Sequence, residues 1–173
     1  MAVVASGVFM ATLDASIVNV SLPTLANELN ASFDSVQWVS LAYLLIITGL
    51  LLPAGRLAQM HGAKPVFLTG FMIFTLGSLL AGFATSVWML VAFRVIQGIG
   101  GAITQALGSG MVVSTFPKNE RGKAIGMILA AVSLGLVSGP LVGGIFLSTL
   151  GWPFIFLINV PFGLAAIGLG FWV

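Results

Sequence analysis

The chain has 173 residues, 59% of them hydrophobic and 6% charged, with a mean hydropathy of +1.17, a composition far outside the soluble range that points to a membrane protein. It holds no cysteine and one histidine, His61, which excludes a disulfide framework, a thiolate nucleophile and a metal cluster. The formal charge of +2 comes from six Lys and Arg spread along the chain with no basic stripe, so nucleic acid is excluded as a partner.

About 20 residues at 1.5 Å rise cross a bilayer, and Pro, Gly and polar punctuation divides the chain into six such spans. Span 1 covers about 3–22 and is expected to stop before Pro23. It has no basic leader region and no A-x-A cleavage site, and its apolar run is too long for a signal peptide. No Lys or Arg precedes it, which implies either a start close to the membrane or a short basic leader that has been removed. Span 2, about 35–54, follows Asp34 and Gln37, a pair that resembles a capping box. The nearby Asn30-Ala31-Ser32 fits a glycosylation acceptor but is read as a common tripeptide close to the membrane. Span 3, about 65–84, carries Pro65 in its first turn, where a missing N–H costs least. Span 4 covers about 87–113, span 5 about 124–147 and span 6 about 154–173.

Charge orients these spans. Arg56, His61 and Lys64 follow span 2; Lys118, Glu120, Arg121 and Lys123 follow span 4. The links after spans 1, 3 and 5 hold no Lys or Arg, only Glu28 and Asp34. The positive-inside rule makes the basic links cytoplasmic, and both chain ends with them. Trp38, Trp88 and Trp152 all fall at the opposite, outer ends of spans 2, 4 and 6, as an aromatic belt requires.

Two opposite charges stand inside spans. A carboxylate at membrane depth costs roughly 2.5–3.5 kcal/mol on insertion scales, so Asp14 is a functional-site candidate. Arg94 is the one basic residue within a span. Counted from the outer ends, Asp14 lies about 12 Å and Arg94 about 10 Å deep. Such charges are tolerated when they face the bundle interior and find a partner, and the pair is expected to share an interior cavity; the alternative is Arg94 snorkelling outward with Asp14 held by hydroxyls. Arg94, Gln97, Gly101, Gln105 and Gly108 recur at steps of three and four and line one face of span 4. On span 1, Asp14 and Ser21 share a face, with Thr12, Ser16 and Asn19 on an adjoining one. A polar seam through two helices is wasteful in a scaffold and expected along a substrate or proton path. Asn19, Gln97 and Gln105 are the cavity-lining candidates.

Span 5 carries Gly135, Gly139 and Gly143 four apart, beside Pro140 and Gly144. Small residues at this spacing let helices approach closely, and Pro140 removes one backbone hydrogen bond and bends the helix. No GxxxxGK[ST] phosphate loop occurs, and Gly98-Ile99-Gly100-Gly101 lacks both the third glycine and the preceding strand of a dinucleotide loop. With no nucleophile–base pair, metal cluster or phosphate cradle, an enzyme is the least favoured class, and no cofactor or metal is implied.

Four segments carry a family resemblance. Leu13–Pro23 reads LDASIVNVSLP, Gly55–Lys64 GRLAQMHGAK, Arg94–Gly101 RVIQGIGG and Gly135–Gly144 GLVSGPLVGG. In this order and on these spans they resemble the N-terminal six-helix half of a major facilitator superfamily transporter, most similar to the drug:proton antiporters of the fourteen-span class. The resemblance implies an all-α six-helix bundle over 1–173 as one domain, built of three-plus-three helix repeats, although no internal sequence repeat is visible. It implies proton or cation recognition at Asp14 and proton transfer linked to Arg94. Gly55, Leu57, Gln59, Gly62 and Lys64 become a conformational loop, and Gly135, Gly139, Pro140, Gly143 and Gly144 an antiporter helix. The family's loop has an acid at the position of Gln59 and bases at Met60 and Ala63, so the charge network there is depleted.

The function so implied is proton-coupled export of hydrophobic or cationic small molecules across the plasma (inner) membrane by alternating access, with a C-terminal half or a second copy completing the transporter. The alternatives are transport of a sugar or other metabolite, and a non-transporting assembly subunit in which Asp14 and Arg94 are idle.

Overall fold

The computed structural model describes residues 2–115, 117 and 120–172, with side chains over 5–107, 117 and 120–168; Lys118 falls outside the described residues and Gly108 outside those with described surroundings. Its elements are all helical: α1 (Ala2–Glu28), α2 (Phe33–His61), α3 (Ala63–Ala81), α4 (Val87–Thr115), α5 (Arg121–Thr149), α6 (Phe154–Leu157) and α7 (Asn159–Trp172). Five of them, α1 to α5, contain stretches long and apolar enough to cross a membrane.

The helices outrun the punctuation. α1 continues through Pro23 to Glu28 and α2 through Pro53 to His61. A proline inside a helix forfeits one backbone bond, a loss that helices packed in a bilayer tolerate. The segment 55–64 is therefore two helix ends, not a loop. They meet at Gly62, whose φ of 89° is a backbone conformation that side chains with a Cβ avoid. Nor is the α2 start a capping box of Asp34 and Gln37. Ser32 is the N-cap, its Oγ accepting from the Ser35 N–H at 3.3 Å, and Asp34 contributes only its charge to the first turn. The last span is interrupted at Ile158 between α6 and α7. Pro161 explains the break, since it has no N–H for the carbonyl of Leu157.

In lipid the hydrophobic effect does not press helices together, so association depends on close packing and polar contacts. Glycine supplies the closeness. A Cβ on Gly100 would stand 2.5 Å from the Gly70 carbonyl oxygen, and one on Gly77 2.6 Å from the Gln97 backbone nitrogen, so α3 and α4 touch backbone to backbone. On α5, Cβ atoms at Gly135 and Gly143 would meet α1 at 3.0 Å (Phe9 O) and 3.3 Å (Ile17 Cγ2), and one at Gly139 would overlap Ser16. The most extensive packing joins α3 with α4, α2 with α4 and α1 with α5.

The interior is layered. Toward one end Met10, Tyr43, Phe71, Phe74, Ala102 and Ile103 form an apolar cluster. Toward the other, Ile17, Val18, Val36, Leu90, Ile155 and Phe156 form a second. Between them lie Asp14, Ser78, Arg94, Gln97 and Asn159, all buried. Trp38 and Trp88 stand largely exposed at the starts of α2 and α4, and Trp152 packs edge-on to Phe156, ring centroids 6.3 Å apart.

Gly100→Ala should destabilise the bundle by about 1–3 kcal/mol through overpacking of α3 on α4. Gly144→Ala, where an added Cβ meets nothing, should stay within about 0.5 kcal/mol of the parent. Thermal unfolding in detergent compares the two, and equal effects would contradict the close crossing.

Candidate functional site

Four helices deliver the buried polar layer. Asp14 comes from the middle of α1, Arg94 and Gln97 from adjacent turns of α4, Ser78 from α3, and Asn159 from the first position of α7. Arg94 and Gln97 stand three apart and so share a face. Asp14, Arg94, Ser78 and Gln97 have no solvent-exposed surface, and Asn159 is 1% exposed.

The carboxylate is shared among three donors. Arg94 Nη1 donates to Asp14 Oδ2 at 2.5 Å, while Gln97 Nε2 at 2.9 Å and Asn159 Nδ2 at 2.7 Å donate to Oδ1. Gln97 also binds the guanidinium through its Oε1, 2.6 Å from Arg94 Nη1, and gives its Nε2 to Ser78 Oγ at 2.7 Å. Arg94 Nε donates to the Val39 carbonyl of α2 at 3.2 Å, and its Cζ lies 3.9 Å from the centroid of the Tyr43 ring, within cation–π range. A buried pair of this kind holds only because further hydrogen bonds replace the lost water. The replacement is incomplete: Arg94 Nη2, Tyr43 Oη and Thr75 Oγ1 have no hydrogen-bond partner among the described residues.

Asp14 and Arg94 are thus in contact, but inside a packed core and not across a cavity. Gln97, expected to line a cavity, is sealed beside them. Asn19 faces outward from α1, accepting from Ser40 Oγ at 2.8 Å. Gln105 does line open space, an open cavity of about 860 Å³ between the ends of α2 and α4, bounded also by Leu51, Leu52, Gly55, Arg56 and Gln59. Leu57 and Lys64 are exposed beside the Gly62 turn. Gly135, Gly139 and Gly143 are buried against α1, whereas Pro140 and Gly144 lie on the open side of α5.

Asn159, Ser78 and Tyr43 belong to the cluster without having been singled out by the sequence. Asn159 carried a usable signal: an amide in an apolar run, two residues before a proline, meets the same criterion that marks Asp14. Ser78 and Tyr43 carried none, because a serine or tyrosine in a membrane helix costs little wherever it points.

A model of the Major Facilitator Superfamily matches residues 4–173. The chain is 43% identical over 168 residues to the riboflavin transporter RibZ of Clostridioides difficile, an alignment covering 97% of this chain and 37% of that protein. It is 39% identical over 167 residues to the tetracenomycin C resistance and export protein of Streptomyces glaucescens, covering 96% and 31%. To the cephamycin export protein CmcT of Amycolatopsis lactamdurans it is 40% identical over 162 residues, covering 93% and 33%. The chain therefore spans about a third of the length of these curated relatives. In fold it matches a bacterial homolog of the human lysosomal transporter Spinster, with a TM-score of 0.84 at 20% identity, over 98% of this chain and 41% of that one.

Asn159→Leu keeps the number of heavy atoms and the branching of the side chain, at a larger volume, but removes one of the two donors to Asp14 Oδ1. It should lower stability by about 1–3 kcal/mol, the range for a buried acceptor left short of a partner, read as a lower unfolding midpoint in detergent. An effect no larger than that of Ile158→Leu would show that Asn159 contributes nothing to the cluster.

Proposed function

The chain belongs to the Major Facilitator Superfamily, and from that premise we propose that it forms the N-terminal six-helix half of a proton-coupled exporter of hydrophobic or cationic small molecules. The observation that carries the reading is the sealed Asp14–Arg94 pair. Both Asp14 oxygens are taken, so in this arrangement the carboxylate has no place for a substrate cation. A proton arriving on Asp14 cancels its charge and turns one oxygen from acceptor to donor. Arg94 then faces an O–H in place of an anion, and a buried unpaired cation is costly enough to drive rearrangement of α1 against α4. Deprotonation toward the other side restores the pair. Alternating between these states couples proton movement to opening and closing of a substrate path, and a cationic substrate competes with the proton for the same carboxylate.

The proposed site is thus Asp14 and Arg94 for coupling, positioned by Gln97 and Asn159. Asn19 and Gln105, on open surfaces of α1 and α4, are the proposed substrate contacts. Arg56, His61, Lys64, Arg121 and Lys123 cluster at one end of the bundle, and Glu28 and Asp34 at the other. With the basic end cytoplasmic, both ends of the described chain lie in the cytoplasm and the protein resides in the plasma (inner) membrane. A C-terminal six-helix half, or a second copy of this one, supplies the rest of the substrate path. The turn at Gly62, with Gly55, Leu57, Gln59 and Lys64, steadies one state through helix-end contacts without the ion pair that an acid at position 59 would make.

A second reading is favoured by one observation, the 43% identity to a protein named as a riboflavin transporter: a planar heteroaromatic metabolite as substrate, moved by the same pair. A substrate panel separates the two.

Proteoliposomes containing the full-length protein test the coupling. An imposed proton gradient should drive uptake or efflux, and Asp14→Asn should reduce gradient-driven exchange by about 10²-fold or more, the scale of losing a positioned proton-transfer group. Unchanged coupling and transport in Asp14→Asn would overturn the mechanism.

A further inference from the structure

Pro140 has no N–H, so the carbonyl four residues earlier, Leu136 C=O, loses its helical hydrogen bond. That carbonyl nevertheless has a donor. Ser16 Oγ, from α1, lies 3.0 Å from it. We propose that Ser16 is a positioning residue: its hydroxyl makes the bond that Pro140 denies to Leu136, and so ties the proline-interrupted turn of α5 to the segment of α1 that carries Asp14.

Three features of the packing support this. The hydroxyl reaches the α5 backbone only because position 139 is glycine; a Cβ there would overlap both Ser16 Oγ and Ser16 Cβ. Gly135 and Gly143, one turn to either side, bring the same faces together at Phe9, Thr12 and Ile17, so the contact sits at the centre of a continuous close crossing. Finally, Ser16 stands two residues from Asp14, about 200° around the helix. Asp14 therefore faces α4 and α7 while Ser16 faces α5, and the same turn of α1 holds both. Helices in bilayers commonly repair proline defects with a Ser or Thr hydroxyl; here the donor is on another helix, so the repair is also a link. A shift of α1 that follows a change at Asp14 must carry the turn of α5 around Pro140 with it or leave the Leu136 carbonyl without a donor.

The mechanical consequence rests on the transport reading above, but the link itself is tested without transport. In the full-length protein, Ser16→Ala should lower the unfolding midpoint by about 2–4 °C. In a Pro140→Ala background, where residue 140 regains its N–H, the same change should shift it by under about 1 °C. Equal shifts in the two backgrounds would overturn the proposal. If Pro140→Ala does not fold, Ser16→Thr against Ser16→Val replaces the cycle. The two are matched in shape and differ in the hydroxyl, so Thr should melt about 2–4 °C above Val, and equal midpoints would refute the link. In proteoliposomes, Ser16→Ala should lower the exchange kcat by about threefold or more, with KM within about twofold, because it slows a rearrangement and touches no substrate. A stability cycle that holds with kcat unchanged would overturn the mechanical role while leaving the hydrogen bond. Loss of coupling in every variant including the parent would instead count against the transport reading.

Discussion

A carboxylate and a guanidinium, each stripped of water, hold one another in the middle of a bundle whose other interior layers are apolar. Neither charge is tolerable there alone, so the helices that carry them are fixed in depth and in rotation about their axes. α1 must turn Asp14 toward α4, α4 must turn Arg94 and Gln97 toward α1, and α7 must begin where Asn159 reaches the carboxylate. Once these faces are set, the remaining faces of α1 and α4 are committed as well. α1 presents Thr12, Ser16 and Ile17 to the glycines of α5, and α4 presents Gly100 to the glycine-lined face of α3. One ionic contact thereby determines which surfaces are left for close packing.

The same contact makes the polar layer sensitive to any change of charge. Most of what holds the pair is polar and directional: three donors on one carboxylate, a guanidinium divided between Asp14, Gln97 and Val39, and a tyrosine ring beneath it. Such a network is strong when complete and expensive when one member changes state. A single proton alters the charge of its central acceptor. The apolar clusters above and below carry no charge to lose, and the glycine crossings bring backbones together with little side-chain interlocking. Arg94 Nη2, without an acceptor among the described residues, leaves the network short of full satisfaction.

Much of this was legible in the sequence, and the reason differs by residue. Asp14 and Arg94 could be read because a charge in a lipid-spanning helix has few acceptable solutions, and similar depth in two helices makes one of them pairing. The glycine ladder of α5 could be read as a close-packing face, but its partner could not, since spacing says nothing about which helix arrives. Asn159 is marked by its apolar neighbours, whereas Ser78 and Tyr43 carry no mark at all. Pro23 and the segment 55–64 look like an end and a loop by rules drawn from soluble proteins, whereas helices surrounded by neighbours and lipid continue through proline. The cavity expected between Asp14 and Arg94 is instead a packed core. Desolvated ions need not be wet when Gln97, Asn159, Ser78 and a backbone carbonyl take the place of water.

Asp14 and Arg94 stabilise the bundle only as a pair. Thermal unfolding of Asp14→Asn, Arg94→Gln and the double variant tests it most directly. Each single change leaves a buried partner uncompensated and should cost about 3–5 kcal/mol, while the double variant should lose clearly less than the sum and melt above Asp14→Asn alone. Strictly additive losses would mean that the two charges do not depend on each other, and the pair would then not be what holds the helices in place.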